Sequence, residues 1–183
     1  MENRLRTLPS DPVRLRGQRV LLREWDEEDI PALVEIYDDP EIDRWTPVPS
    51  LFDPDAAREY LRKAREGRAE GRRMQLAVTT DGLEPKGEVL LFQDELDDRD
   101  VELAYGIGAR FRRQGLAAEA VVIATEYALR HLGARRVLLR IDAANVPSAA
   151  VAASSGFQLT ADEPVERKAK GRRVLLRTWC RHS

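Results

Sequence analysis

The stretch Glu102-Leu103-Ala104-Tyr105-Gly106-Ile107-Gly108-Ala109-Arg110-Phe111-Arg112-Arg113-Gln114-Gly115-Leu116-Ala117-Ala118-Glu119 decides the fold. Its first half reads as a strand, Asp100 to Ala109, carrying two glycines. Glycine inside a strand weakens it and marks a bulge or a close approach by another backbone or a ligand. Its second half opens a run, residues 115–131, that is apolar nearly all round, with Glu119, Glu126 and Arg130 spaced to share one polar stripe. Such a helix packs deeply against a sheet. At the junction, a helix N-terminus offers unpaired N–H groups and a partial positive charge. Small side chains let a bulky anion approach them, Gly115 permits unusual backbone angles, and Arg110, Arg112 and Arg113 add charge. The combination suits a diphosphate. An ordinary basic loop before a core helix fits the same local pattern equally well.

Working outward, RVLLRE (Arg19 to Glu24) reads as the first strand, after an arm over residues 1–18 in which Leu15 hints at earlier pairing. Asp26 is a helix N-cap candidate with acids in the turn behind it, and Ile30, Leu33, Val34 and Tyr37 recur at helical spacing. Residues 38–54 read as a loop with a short helical turn. Asp53-Pro54 opens a second helix that runs to about Gly67. Strands follow over Met74 to Thr80 and Gly87 to Phe92, with Asp81-Gly82 as a turn signal. The segment Asp94 to Asp100 (DELDDRD) reads as a solvated hairpin loop, because it lacks the glycine and terminal glutamate of a calcium loop. Beyond the apolar helix, Arg136 to Asp142 is a strand and Val146 to Ser155 a short helix of small residues. Gly156-Phe157 then leads to a strand, and Arg173 to Trp179 is the last. Glu166 to Arg173 (ERKAKGRR) reads as a solvated hairpin turn. The expected fold is one α+β domain over residues 1–183, a mixed sheet flanked by helices.

Composition sets the bounds. The 183 residues suffice for one core, and 30 Lys and Arg against 32 Asp and Glu give a net charge of −2. A dedicated nucleic-acid binder should be basic, so no nucleic-acid partner is expected. Cys180 is the lone cysteine and reads as an inert structural thiol. With His131 and His182 as the only histidines, neither a zinc spacing nor a Ser-His-Asp set is present, and no metal is expected. MENRLRTLPSDP lacks the apolar core of a signal peptide, and no stretch approaches the 18 apolar residues of a membrane span. The default expectation is a cytoplasmic protein without a membrane partner. Rival phosphate motifs fail: Phe111 stands where a dinucleotide fingerprint needs its third glycine, and no P-loop occurs.

Arg112-x-x-Gly115-x-Ala117 resembles the coenzyme A pyrophosphate signature of GNAT acetyltransferases, Q/R-x-x-G-x-G/A, with a strand before it and a long apolar helix after it. ELAYGIGARFRRQGLAAEAV is similar to the branch containing the ribosomal-protein N-terminal (Rim-type) acetyltransferases. Asn145-Val146-Pro147-Ser148 followed by Gly156-Phe157 matches that branch's second hallmark, and LLREWDEEDIPALVEIYDDPEI its opening strand and helix. The resemblance implies a GNAT fold with about seven mostly antiparallel strands, splayed mid-sheet, and about four helices. It implies acetyl-CoA as acyl donor, its pyrophosphate cradled by backbone N–H groups of Arg113, Gln114, Gly115, Leu116, Ala117 and Ala118 beside Arg112. Ile107, Gly108 and Ala109 would line the pantetheine arm, and Asn145 would bond it near its reacting end.

By the same resemblance the reaction is direct attack of a primary amine on the thioester, the N–H of Ile107 facing the charge that develops on oxygen. Glu102 is the candidate general base, against a surface ion pair with an arginine. The helix tyrosine that many superfamily members use toward the leaving thiolate is missing from Ala149 to Ser155. Ser148 is the candidate in its place, against a capping or coenzyme-contact role. Trp45 and Phe52 are candidate apolar walls for the acceptor, against core packing. The acceptor is a protein N-terminal α-amine or a small-molecule amine such as an antibiotic. The alternative is a non-catalytic acyl-CoA-binding module. A homodimer is expected only as the commonest oligomer.

Overall fold

A computed structural model of the chain describes residues 8–9, 11–49 and 51–182. In chain order the elements are β1 (Arg14–Arg16), β2 (Leu21–Glu24), α1 (Ile30–Tyr37), α2 (Pro40–Trp45), α3 (Pro54–Ala69), β3 (Arg73–Thr79), β4 (Gly87–Gln93) and β5 (Val101–Ile107). There follow α4 (Leu116–Arg130), β6 (Arg136–Asp142), α5 (Val146–Ser154), β7 (Gln158–Leu159), β8 (Val165–Ala169) and β9 (Arg172–His182). The strands form one sheet in the order β1-β2-β3-β4-β5-β6-β9-β7, with β8 folded onto β9. Every pairing is antiparallel except β5 with β6.

The α+β architecture is as expected, but the described residues hold nine strands and five helices rather than about seven and four. The additions are short. β1 comes from the segment read as an arm, β8 from the segment read as a hairpin turn, and α2 occupies the loop that begins at Asp39-Pro40. That helix is set by the Asp39 carboxylate, which accepts from the N–H groups of Glu41 and Ile42, with Pro40 at its first position. The segment read as a hairpin turn over Glu166 to Arg173 is mostly strand, tightened at Lys170 and Gly171, which both have positive φ. Its charged residues alternate between faces, and the pattern of hydrophobicity is too weak to reveal a strand.

Alternation along the strands makes two cores. On one face of the sheet Leu22, Leu76, Val89, Leu103, Val137 and Leu139 pack against Ala120, Val121 and Ala124 of α4. On the other, Leu33, Ile36 and Tyr37 of α1 pack with Leu61 of α3 and with Phe52, which precedes that helix. Phe52 is 2% exposed, its ring 5.1 Å from Tyr37 and 5.8 Å from Tyr60, so it is a core residue and not an acceptor wall. The loop over 94–100 is also less solvated than expected. Asp100 is fully buried between the guanidinium groups of Arg135 and Arg136, and Asp94 takes Arg140 at 2.9 Å.

Candidate active site

The corner between β5 and α4 is built from left-handed backbone and small side chains. Arg113 and Gly115 have φ of 63° and 77°. Gly115 is the N-cap of α4, and no side chain caps the helix there. Among the described residues no oxygen accepts the backbone N–H groups of Arg113, Gly115, Leu116, Ala117 or Ala118, while that of Gln114 closes the turn before the helix. Arg113, Gln114 and Gly115 are exposed and Ala117 and Ala118 half-buried, so this side of the corner stays open. Oriented, unpaired donors at a helix N-terminus form an anion site.

The arginines there divide their work. Arg110 pairs with Glu35 at 2.6 Å and Glu84 at 3.3 Å. Arg112 pairs with Asp39 at 2.6 Å and donates from Nε to the carbonyl of Ile107 at 3.0 Å. Two of the three charges expected to face an anion are therefore already matched, and Arg112 acts by fixing the end of β5. Burial raises the pKa of the Asp39 carboxyl, but Arg112 and the α2 N–H groups outweigh it and hold the group below the usual aspartate range. Arg113 has no carboxylate partner among the described residues. A further cation, Arg19, enters from the β1–β2 turn. It is held by Glu119 and the carbonyl of Gln114, its Nη2 3.0 Å from where a Gly115 Cβ would stand. No local motif signalled Arg19, which lies 95 residues before Gln114.

Beside this corner the sheet opens. β5 and β6 pair only through Val101 to Leu103 with Val137 to Leu139, after which Ala104 to Ile107 have no β6 neighbour. Ala104, Tyr105 and Gly106 are half-buried rather than buried. The N–H of Gly108 donates to Lys86 on the β4 side. Strand alternation then turns the N–H and C=O of Ile107 and Tyr105 toward the vacated edge. Arg112 takes the Ile107 carbonyl, so Ile107 offers that edge its N–H alone, beside the N–H and C=O of Tyr105. Across the gap, Asn145 caps α5 by accepting from the Ser148 N–H at 3.2 Å. Its amide nitrogen is left to donate elsewhere. The Ser148 hydroxyl stands 2.7 Å from that of Tyr105.

Glu102 points to the opposite face of the sheet. It is 2% exposed and held bidentately by Arg167 of β8 at 2.7 and 2.6 Å, with Arg140 Nε 3.7 Å away. Burial lifts its pKa above the usual glutamate value, and Arg167 and Arg140 partly offset this. The ion-pair alternative for Glu102 is thus the geometry seen, with a buried rather than a surface carboxylate. Trp45, half-buried at the end of α2, donates from Nε1 to Glu41 at 3.0 Å and stacks under Arg44. The hairpin bearing Arg167 reaches α2 through Lys170, which bonds Asp43. Glu88, which the sequence did not flag, is fully buried at the β4 position facing Gly106. It accepts from Trp25, Gln75, Tyr60 and Tyr37.

The donor corner, the half-open sheet and the helices around them define a class, the acyl-transferring α+β domains. The family described as acetyltransferase (GNAT) domain matches residues 19–158, and the chain belongs to it as an N-acetyltransferase. The uncharacterized N-acetyltransferase p20 of Bacillus licheniformis is 25% identical over 163 residues, covering 87% of this chain and 90% of that protein. The ribosomal-protein-S5-alanine acetyltransferase of Vibrio fischeri shares the fold at TM-score 0.77 and 15% identity, over 93% of this chain and 96% of that one. The microcin C7 self-immunity acetyltransferase MccE, solved with acetyl-CoA and AMP, superposes at TM-score 0.79 and 14% identity, over 91% and 94% of the two chains.

Proposed function

We propose that this N-acetyltransferase takes its acetyl group from acetyl-CoA and passes it to a protein N-terminal α-amine by direct attack. The observation that carries the donor half is the set of unpaired N–H groups of Arg113 and of Gly115 to Ala118, beside the edge that β6 vacates. The first suits a diphosphate and the second an extended amide-bearing arm. Acetyl-CoA supplies an activated acyl carbon when bound. In this reading the corner binds the diphosphate, the edge of β5 and the Asn145 amide orient the arm, and the Ile107 N–H stabilises charge developing on the thioester oxygen.

The acceptor half rests on proton chemistry. The amine must lose a proton, and Glu102, the candidate base and a buried carboxylate with a raised pKa, is already engaged by Arg167. At pH 7.5 roughly a third of an α-amine, but only about a thousandth of a lysine amine, is free base. A site with so encumbered a base favours the amine that needs least help. The V. fischeri relative, by its name, acts on a ribosomal protein. MccE, a microcin self-immunity enzyme, keeps a small-molecule acceptor as the second reading. Thiol release from acetyl-CoA, measured with peptides bearing a free N-terminus, the same peptides blocked there but carrying lysine, and small amines, separates these. The free N-terminus should react fastest. Reaction only with small amines contradicts the acceptor, and tight acetyl-CoA binding without turnover would favour a binding module.

A further inference from the structure

The leaving sulfur needs a hydrogen-bond donor, and α5 supplies no tyrosine. One arrives instead from the strand opposite. Tyr105 sits on the part of β5 that has lost its β6 neighbour and belongs to the rim of the α4-side core. Its side chain crosses to the first turn of α5 and meets Ser148 twice, at the hydroxyl (2.7 Å) and the carbonyl (3.1 Å). The phenol has one proton, which it can place on the Ser148 carbonyl or on Ser148 Oγ, and in the hydroxyl–hydroxyl contact either partner can donate. Where the phenol donates to Oγ, Ser148 keeps its own proton, with no other protein acceptor for it among the described residues. Both side chains are half-buried at the mouth of the gap.

We infer that Tyr105 is a positioning residue: its O–H donates to Ser148 Oγ and so aims the Ser148 proton at the sulfur leaving the thioester. This rests on the acetyl-CoA reading above. In the step served, a C–N bond forms and the C–S bond breaks. Sulfur departs with the bonding electron pair, and the amine proton passes to a base or solvent. The serine hydroxyl stabilises the thiolate as a hydrogen-bond donor, and solvent protonates the sulfur afterwards. Full proton transfer is not required, because a thiol near pKa 8.5 is a stronger acid than either hydroxyl. Burial, partly offset by Ser148, pushes the Tyr105 phenol up to about 12, so it stays a donor across the working range.

The test is an equilibrium one. The ultraviolet absorbance of the thiolate is titrated on free CoA and on CoA bound to wild type, Tyr105→Phe, Ser148→Ala and the double variant, with unfolding curves showing that each is folded. Bound to wild type, the thiol pKa should fall by about one unit, the scale of a hydrogen bond to a charged group. Each single variant should lose most of that shift, and the double variant should lose no more than Ser148→Ala. In turnover, kcat should drop about tenfold in either single variant with KM for acetyl-CoA little changed. A thiol pKa in Tyr105→Phe equal to wild type, or losses that multiply in the double variant, would overturn the inference while leaving the acetyl-CoA reading standing. Failure of wild type to bind CoA would overturn both.

Discussion

Glu102 and Arg167 pose the sharpest question at the scale of single residues. Burial raises the Glu102 pKa, and Arg167 pulls against it. Removing that cation leaves the burial unopposed, so the pKa must climb further. A base works only when ionised. Arg167→Gln should therefore move the acid limb of the kcat/KM profile to higher pH, and a pH–rate profile reads it. An unmoved limb removes Glu102 from the mechanism. Gly115 gives a second prediction. Glutamate there adds a carboxylate and a strained left-handed residue at the donor corner, and should weaken acetyl-CoA binding by at least about a hundredfold, measured by calorimetry, through lost charge complementarity. Near-normal affinity in a folded Gly115→Glu protein contradicts the assignment. Gly115 and Glu102 could be singled out because each sits in a local pattern. Arg167 and Arg19 could not. They reach their partners 65 and about 100 positions away along the chain, and nothing in their own neighbourhoods records the meeting.

At the scale of elements, a single carboxylate ties four segments together. Glu88 on β4 receives Trp25 after β2, Tyr37 of α1, Tyr60 of α3 and Gln75 of β3, all neutral donors. Truncation would strand several buried donors, each costing about 1–3 kcal/mol. Glu88→Ala should lower stability by at least about 3 kcal/mol in denaturant unfolding and loosen α1 and α3 from the sheet. A loss below about 1 kcal/mol would show that the cluster is not holding them. The loop between β4 and β5 works by charge instead. Burial raises the pKa of the Asp100 carboxyl, but Arg135 and Arg136 overcome it and the net shift is downward. A depressed pKa means stability present above the unfolded-state value and lost as the pH falls through the folded one. The deficit of Asp100→Asn should thus be full at neutral pH and shrink below about pH 4. A pH-independent deficit would contradict this. The sequence showed α1, α3 and the central strands by periodicity and Asp or Asp-Pro signals, and α4 by its nearly continuous apolar run. It hid β8, whose VERKA alternates charge with charge, and the buried ends of DELDDRD, whose acidic run looks the same whether solvated or paired.

For the molecule as a whole, one departure from regular pairing organises the rest. β5 and β6 run side by side for three residues and then part. The gap so made has the donor corner of α4 on one face and, on the other, Glu102 held by Arg167 of β8. The corner could be proposed as an anion site from Gly115, its small neighbours and the apolar helix after them. The gap itself was not, since pairing register belongs to two distant strands and only the family resemblance pointed to it. The central claim, that this corner and this edge together grip acetyl-CoA, meets its most direct test in amide hydrogen exchange with and without saturating acetyl-CoA. Binding should slow exchange at Tyr105 and Ile107 and from Arg113 to Ala118, while β1, β2 and the β8–β9 hairpin change little. Protection concentrated elsewhere, with those amides exchanging as in the free protein, would contradict the account.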